Sequence, residues 1–258
     1  MSFQTVRYEI AEGLAVITLD RPEVMNALNT AMRAEVTEAL HRAATEARAI
    51  VLTGTGRAFC SGQDLGDGAA SAALDLERVL AEEYEPMLKA IYDCPVPVIA
   101  AVNGAAAGAG ANLALAADVV IAAQSAAFMQ AFTRIGLMPD AGGTYWLPRQ
   151  VGFARAMGLS LFAEKLPAEE AARMGLIWEA VPDVDFEHHW RARAMHLAKG
   201  PTAAFAAVKR ALRGSYGNSL SVQLDLEAQL QGELGITHDF REGVQAFLEK
   251  RAPRFEGR

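Results

Sequence analysis

The sequence predicts an α/β protein with a helical C-terminal third. Three observations carry this reading. Short apolar runs alternate with helical segments between residues 49 and 123. Beyond residue 140 almost every segment has helical spacing. The 258 residues, 52% of them hydrophobic, suffice to bury a sizeable core.

The elements follow in order. Residues 5–10 and 14–19 are β-rich runs around Ala11-Glu12-Gly13, which reads as a hairpin turn. Residues 30–47 place Met32, Val36, Ala39, Leu40 and Ala43 on one helical face. The run AIVLT at 49–53 is a buried strand ending in Gly54-Thr55-Gly56. Residues 74–92 are helical. PVPVIAAV at 95–102 is a second buried strand, a small-residue helix spans about 108–116, and DVVIAA at 118–123 is a third strand. Strands separated by helices imply crossover connections and a largely parallel sheet. Helices are expected near 142–162, 167–174, 186–199, 201–213, 219–232 and 238–250, with one strand at 177–181.

Composition narrows the function. A net charge of -7 without basic clusters leaves no footprint for nucleic acid or an anionic membrane surface. The start MSFQTVRYEI lacks a basic region followed by an apolar run, and no stretch reaches about 18 apolar residues, so neither a signal peptide nor a membrane span is expected. Cys60 and Cys94 form no close pair, which fits a reduced, cytoplasmic protein with buried thiols. The five histidines and two cysteines make no metal-ligand spacing, so no metal is expected.

Three loop segments stand out: RAFCSGQDL at 57–65, NGAAAGAGAN at 103–112 and GLMPDAGGT at 136–144. From Gly104 to Ala111 no side chain exceeds a methyl. Small residues let a ligand approach the backbone, and a helix N-terminus suits an oxyanion. The same residues also let a helix pack tightly on a sheet. The spacing of Gly104, Gly108 and Gly110 fits neither dinucleotide nor P-loop fingerprints.

Taken together, LDRPEVMNALN at 19–29, AFCSGQDL, PVIAAVNGAAAGAGANLALAADVVIA, IGLMPDAGGT and REGVQAFLEKRAPRF at 241–255 resemble the crotonase family, the enoyl-CoA hydratase/isomerase superfamily. The resemblance implies a ββα spiral core over residues 1–199 and a C-terminal helical trimerisation region over 200–258. It implies a homotrimer or dimer of trimers and an acyl-CoA substrate, with coenzyme A part of the substrate and no separate cofactor. It also implies that two backbone N–H groups, those of Gln63 and Ala109, hold a thioester enolate. Donors of this kind contribute about 2.7–4 kcal/mol each.

In this family the acid/base side chains decide the reaction. Hydratases carry two glutamates, at the positions of Asn112 and Phe132 here; neither residue titrates as an acid/base. Asp140 remains. By local spacing it reads as a helix N-cap; in family members with an aspartate there, it is the main acid/base. One carboxylate can take a proton from one carbon and return it to another, which is an isomerisation. An apolar pocket should tune its pKa. FMQAFTRIGLMPDAGGTYWLPRQVGFARAMGLSL, MGLIWEAV and LSVQLDLEAQLQ resemble the branch that converts ring-1,2-epoxyphenylacetyl-CoA to oxepin-CoA in phenylacetate degradation. Enzymes that move a double bond from position 3 to 2 of an enoyl-CoA are also similar.

Phe132, Leu137, Tyr145 and Trp146 could wall a ring-sized pocket or serve as core. Asn112 either positions substrate or water, or is structural. For coenzyme A the resemblance implies Val24, Met25 and Ala27 on one wall and Ser61, Asp64 and Leu65 on the other. Phe247 and Lys250 would reach a neighbouring subunit's ligand; Lys250 reads equally as a solvated surface lysine. A dehalogenase of this family would need a histidine that residues 71–93 lack. A thioester hydrolase, an enoyl-CoA hydratase and a non-catalytic acyl-CoA binder are the further alternatives.

Overall fold

The apolar runs assemble into one central sheet because each is buried on both faces. The structure, a computed structural model, describes residues 3–66 and 75–258. β1 (Val6–Ala11) and β2 (Leu14–Leu19) form the expected antiparallel hairpin. β3 (Ala49–Gly54), β5 (Val98–Val102), β7 (Val119–Ala123) and β10 (Glu179–Val181) continue the sheet in parallel, in the order β1-β2-β3-β5-β7-β10.

A second sheet was not anticipated from the sequence. β4 (Ala58–Cys60), β6 (Ala105–Ala107), β8 (Ala127–Met129) and β9 (Leu166–Pro167) pair in that order. Each successive turn of chain thus supplies one strand to the large sheet and one to the small sheet, then a helix or helical turn. This is the ββα spiral that the resemblance implies. Strands of two or three residues are too short to show a period of two, which is why they escape a sequence reading.

The helices between strands are α1 (Thr30–Glu46), α2 (Leu76–Val79), α3 (Glu85–Tyr92) and α4 (Ala109–Leu115). Asn29 caps α1, its side-chain oxygen accepting from the Met32 N–H at 2.9 Å. Between α2 and α3 the chain makes a π-turn, Leu80–Tyr84. The expected onset of this helical stretch at Leu74 lies outside the described residues. The helix expected at 142–162 is two helices, α5 (Gly143–Val151) and α6 (Phe153–Phe162), broken at Gly152 with φ +77°. The strand expected at 177–181 is shortened to β10.

The C-terminal part contains α7 (Ala168–Arg173), α8 (Phe186–Ala198), α9 (Thr202–Gly214), α10 (Leu220–Leu234) and α11 (His238–Glu249). Asp118 ties α9 to the sheet: its carboxylate accepts from Lys209 Nζ at 2.7 Å, Arg213 at 2.6 Å and the Val98 N–H at 2.8 Å. Among the described residues no helix is long and apolar enough to cross a membrane.

Two glycines set how closely α4 and its preceding turn approach the small sheet. A Cβ at Gly104 would collide with the Arg57 carbonyl, and one at Gly110 with the Cys60 carbonyl and Sγ. Gly110→Ala is therefore expected to cost about 3 kcal/mol, the upper end of overpacking penalties. Urea denaturation of the variant beside the unaltered protein measures this.

Candidate functional site

The site forms where α4 abuts β4. β4 runs on into Ser61–Asp64, which pairs with the strand-like residue Leu28: the Leu28 N–H donates to the Gly62 carbonyl at 2.8 Å, and the Asp64 N–H to the Leu28 carbonyl at 3.1 Å. In a parallel bridge this pattern turns the intervening Gln63 N–H to the opposite side, toward β6 and the Gly108–Ala109 turn. Gly108 takes φ +53°, and Ala109 opens α4 with one of the N–H groups that a helix leaves unpaired. Neither the Gln63 nor the Ala109 N–H has an acceptor among the described residues.

Both residues line a cavity of about 420 Å³. Ser61, Leu65, Leu80, Tyr84, Phe132, Leu137 and Asp140 line it as well, and Asp140 is its sole carboxylate among the described residues. A second cavity of about 430 Å³ adjoins it and shares Leu80, Tyr84 and Asp140. Tyr145 and Trp146 line this second cavity, not the first. With Tyr92 they form an aromatic cluster with ring centroids 4.8–6.2 Å apart.

Asp140 does not cap a helix. α5 begins at Gly143, and its N-cap is Gly142, which has no side chain. The chain reaches it through two left-handed residues, Ala141 at φ +46° and Gly142 at φ +81°. The Asp140 carboxyl is thereby released toward the cavities. Its Oδ1 is buried and has no hydrogen-bond partner among the described residues. Burial pushes this carboxyl up to about 6, and its own backbone N–H opposes the shift.

Gln63 is held by residues that the sequence reading missed. Its Oε1 accepts from Arg33 at 3.0 Å and from the Tyr84 hydroxyl at 2.7 Å. Arg33 is itself buried, donating to the Leu28 carbonyl at 2.6 Å and to Glu83 at 2.6 Å. Burial raises the Tyr84 pKa, so its hydroxyl stays a donor. One visible signal was a charged residue, Arg33, beside the apolar face of α1. Asn26 was also missed: fully buried, it bonds the Arg21 N–H and the Thr55 and Ala58 carbonyls and so shapes the 21–27 turn.

The remaining expected residues divide as follows. Val24 and Met25 meet Ser61 through backbone: the Ser61 N–H donates to the Met25 carbonyl at 3.0 Å and its hydroxyl to the Val24 carbonyl at 3.3 Å. Ala27 is buried, and its carbonyl accepts from Arg21. Asp64 is engaged by the Arg21 guanidinium at 2.8 Å. Phe247 and Lys250 lie at the end of α11 and line neither cavity. Asn112, fully buried, also lines neither; its carboxamide donates to the Asp140 carbonyl at 2.7 Å. Cys60 is a buried thiol pushed up to about 12, which leaves it unreactive. Among the described residues no cluster of three metal-binding side chains occurs.

The family described as enoyl-CoA hydratase/isomerase matches residues 9–258. A "probable enoyl-CoA hydratase" of Rhodobacter capsulatus is 81% identical over the full length of both chains. A 1,2-epoxyphenylacetyl-CoA isomerase of Escherichia coli is 45% identical, covering 96% of this chain and 97% of its own. The crystal structure of an enoyl-CoA hydratase from Bacillus anthracis superposes with a TM-score of 0.94 at 32% identity, covering 99% of this chain and all of that one.

The raised carboxyl has a stability consequence. Folded, Asp140 holds its proton to about pH 6; unfolded, it releases it near the ordinary 3.8. The charged form is therefore disfavoured in the fold above pH 6, and the penalty disappears below about pH 4. Allowing for partial solvent exposure, Asp140→Asn should stabilise the protein by about 1–2 kcal/mol at pH 8. The gain should fade as pH falls toward 4, which denaturation at both pH values measures.

Proposed function

The chain belongs to the enoyl-CoA hydratase/isomerase family, and within it we propose that the enzyme is an acyl-CoA isomerase with Asp140 as its proton carrier. The observation that carries this reading is the single carboxylate in a cavity whose wall also holds two unpaired backbone N–H groups. Hydration needs a base for water and an acid at the other carbon. One carboxylate suffices for moving a proton between two carbons of the same substrate.

The thioester oxygen accepts from the N–H groups of Gln63 and Ala109. For a linear 3-enoyl-CoA, the Asp140 carboxylate takes the C2 proton, and the electron pair spreads onto the thioester oxygen as a dienolate. The carboxylic acid then returns the proton to C4, and the pair closes as the C2–C3 double bond. The preferred substrate is the ring-1,2-epoxide of phenylacetyl-CoA, isomerised to oxepin-CoA. Similarity to the E. coli epoxide isomerase and the aromatic wall of Tyr92, Tyr145 and Trp146 beside Asp140 support this choice. Coenzyme A would run along Val24, Met25, Ala27, Ser61 and Leu65. A homotrimer or dimer of trimers formed by the region from residue 200 onward is part of the proposal. Exposed apolar side chains on α9–α11, including Val208, Leu212, Val244 and Phe247, support it.

Purified enzyme should form oxepin-CoA from the ring epoxide, read by liquid chromatography. It should conjugate trans-3-hexenoyl-CoA, read by ultraviolet absorbance, and hydrate crotonyl-CoA negligibly. Asp140→Asn should lower kcat for isomerisation by about 10³-fold, within the range of general acid–base catalysis. Efficient hydration, or isomerisation that survives in Asp140→Asn, would overturn the assignment. Because the carboxylate must start ionised, kcat should rise with pH through about 6 and level off above it. A flat profile between pH 5 and 8 would exclude Asp140 as the initial base.

A further inference from the structure

We infer that Asn112 and Gln130 form a buried amide relay that positions Asp140, so that both are positioning residues for the reaction; this rests on Asp140 being the proton carrier. The relay is a chain of three groups. Gln130 Nε2 donates to Asn112 Oδ1 at 2.8 Å, and Asn112 Nδ2 donates to the Asp140 carbonyl at 2.7 Å. Both side chains are nearly or fully buried.

The polarity of this chain is forced from one end. A backbone carbonyl can only accept, so Asn112 must turn its amino group toward Asp140. Its oxygen then faces Gln130, which must present its own amino group. Gln130 Oε1 is left buried with no partner among the described residues. Such an orphan costs stability, and native proteins rarely keep one without a reason. Here the orphan is the consequence of locking Asn112 in one orientation.

The lock has a specific target. The Asp140 carbonyl accepts a second bond from the Gly143 N–H at 2.8 Å. Together the two bonds hold a turn whose next residues are both left-handed, one of them the non-glycine Ala141. A Cβ at Gly143 would fall 3.0 Å from Asn112 Cγ and closer still to Nδ2, so the contact also demands glycine there. Asn112 lies three residues after Ala109 on α4, less than one helical turn away. The same short helix therefore offers the Ala109 N–H and fixes the Asp140 main chain. It sets the spacing between the group that holds the oxyanion and the group that moves the proton.

The consequence separates stability from catalysis. Gln130→Met keeps length and apolar fit while removing both the donor and the orphaned oxygen. Its melting temperature should change little, because one orphaned oxygen (Gln130 Oε1) is removed while another (Asn112 Oδ1, which loses its donor) takes its place. Its kcat on trans-3-hexenoyl-CoA and on the ring epoxide should fall 3- to 10-fold, with KM within twofold. Asn112→Ala should lower kcat at least 30-fold with a similarly small change in KM. If Asn112→Ala fails to fold, Gln130→Met decides alone. Unchanged kcat in Gln130→Met, or a loss that merely follows a lower melting temperature, would overturn the relay. Asp140→Asn is measured alongside. If it is inactive while Gln130→Met is unaffected, only the relay is lost; if it stays active, the proton-carrier reading and the relay fall together.

Discussion

The site depends on two backbone segments approaching more closely than side chains would allow. The 60–63 stretch and the 107–110 stretch must lie side by side for the N–H groups of Gln63 and Ala109 to face one cavity. At Gly62 a Cβ would stand 2.8 Å from the Ala107 carbonyl, and at Gly110 it would strike the Cys60 carbonyl. Gly62 and Gly108 also take positive φ, at +96° and +53°. The run of alanines and glycines is thus a steric requirement before it is a chemical one. Backbone donors fixed this way need no reorganisation as charge develops, which is where their value in stabilising an oxyanion lies.

Around that pair, the fold spends stability on placing one carboxylate. Asp140 is removed from helix capping, set on a left-handed turn and left with a buried oxygen that no neighbour among the described residues satisfies. Each of these features is unfavourable by itself. Together they produce a carboxyl that resists ionisation in an apolar wall, which suits a group that must both accept and return a proton near neutral pH. No second carboxylate lines the cavity of the backbone donors among the described residues, and at the two positions where the family resemblance implies a hydratase's glutamates the chain has the fully buried Asn112 and the aromatic Phe132.

Legibility in the sequence followed burial and length. β2, β3, β5 and β7 were readable because five- or six-residue apolar runs buried on both faces stand out from their surroundings. The long C-terminal helices were readable from their spacing. The small sheet was not, because β4, β6, β8 and β9 are too short to display any period. The Asp140 turn reads differently locally: Asp followed by Ala-Gly-Gly has the composition of a helix start, whereas the helix begins at residue 143, with the Asp140 carbonyl held by the local Gly143 N–H and by the distant Asn112 side chain. The Gln63 clamp was invisible for another reason. Arg33 and Tyr84 are 30 and 21 residues away in the chain, and hydrogen bonding between them is set by packing, not by local pattern.

The π-turn at Leu80–Tyr84 draws these parts together. An extra residue in the turn is a costly irregularity that proteins tend to keep at functional sites. Here it brings Leu80 and Tyr84 to the shared wall of both cavities, beside Asp140. Tyr84 does two things from that position. It borders both the chamber of the backbone donors and the aromatic chamber of Tyr145 and Trp146. Its hydroxyl holds the Gln63 side chain, with Arg33 stacked 4.9 Å from its ring. One residue thus joins the lining of both cavities to the Gln63 side chain. On the proposed function, an acyl group that displaced Tyr84 would also disturb the clamp on Gln63, so a substrate that fits poorly would be penalised at the oxyanion as well as at the pocket wall.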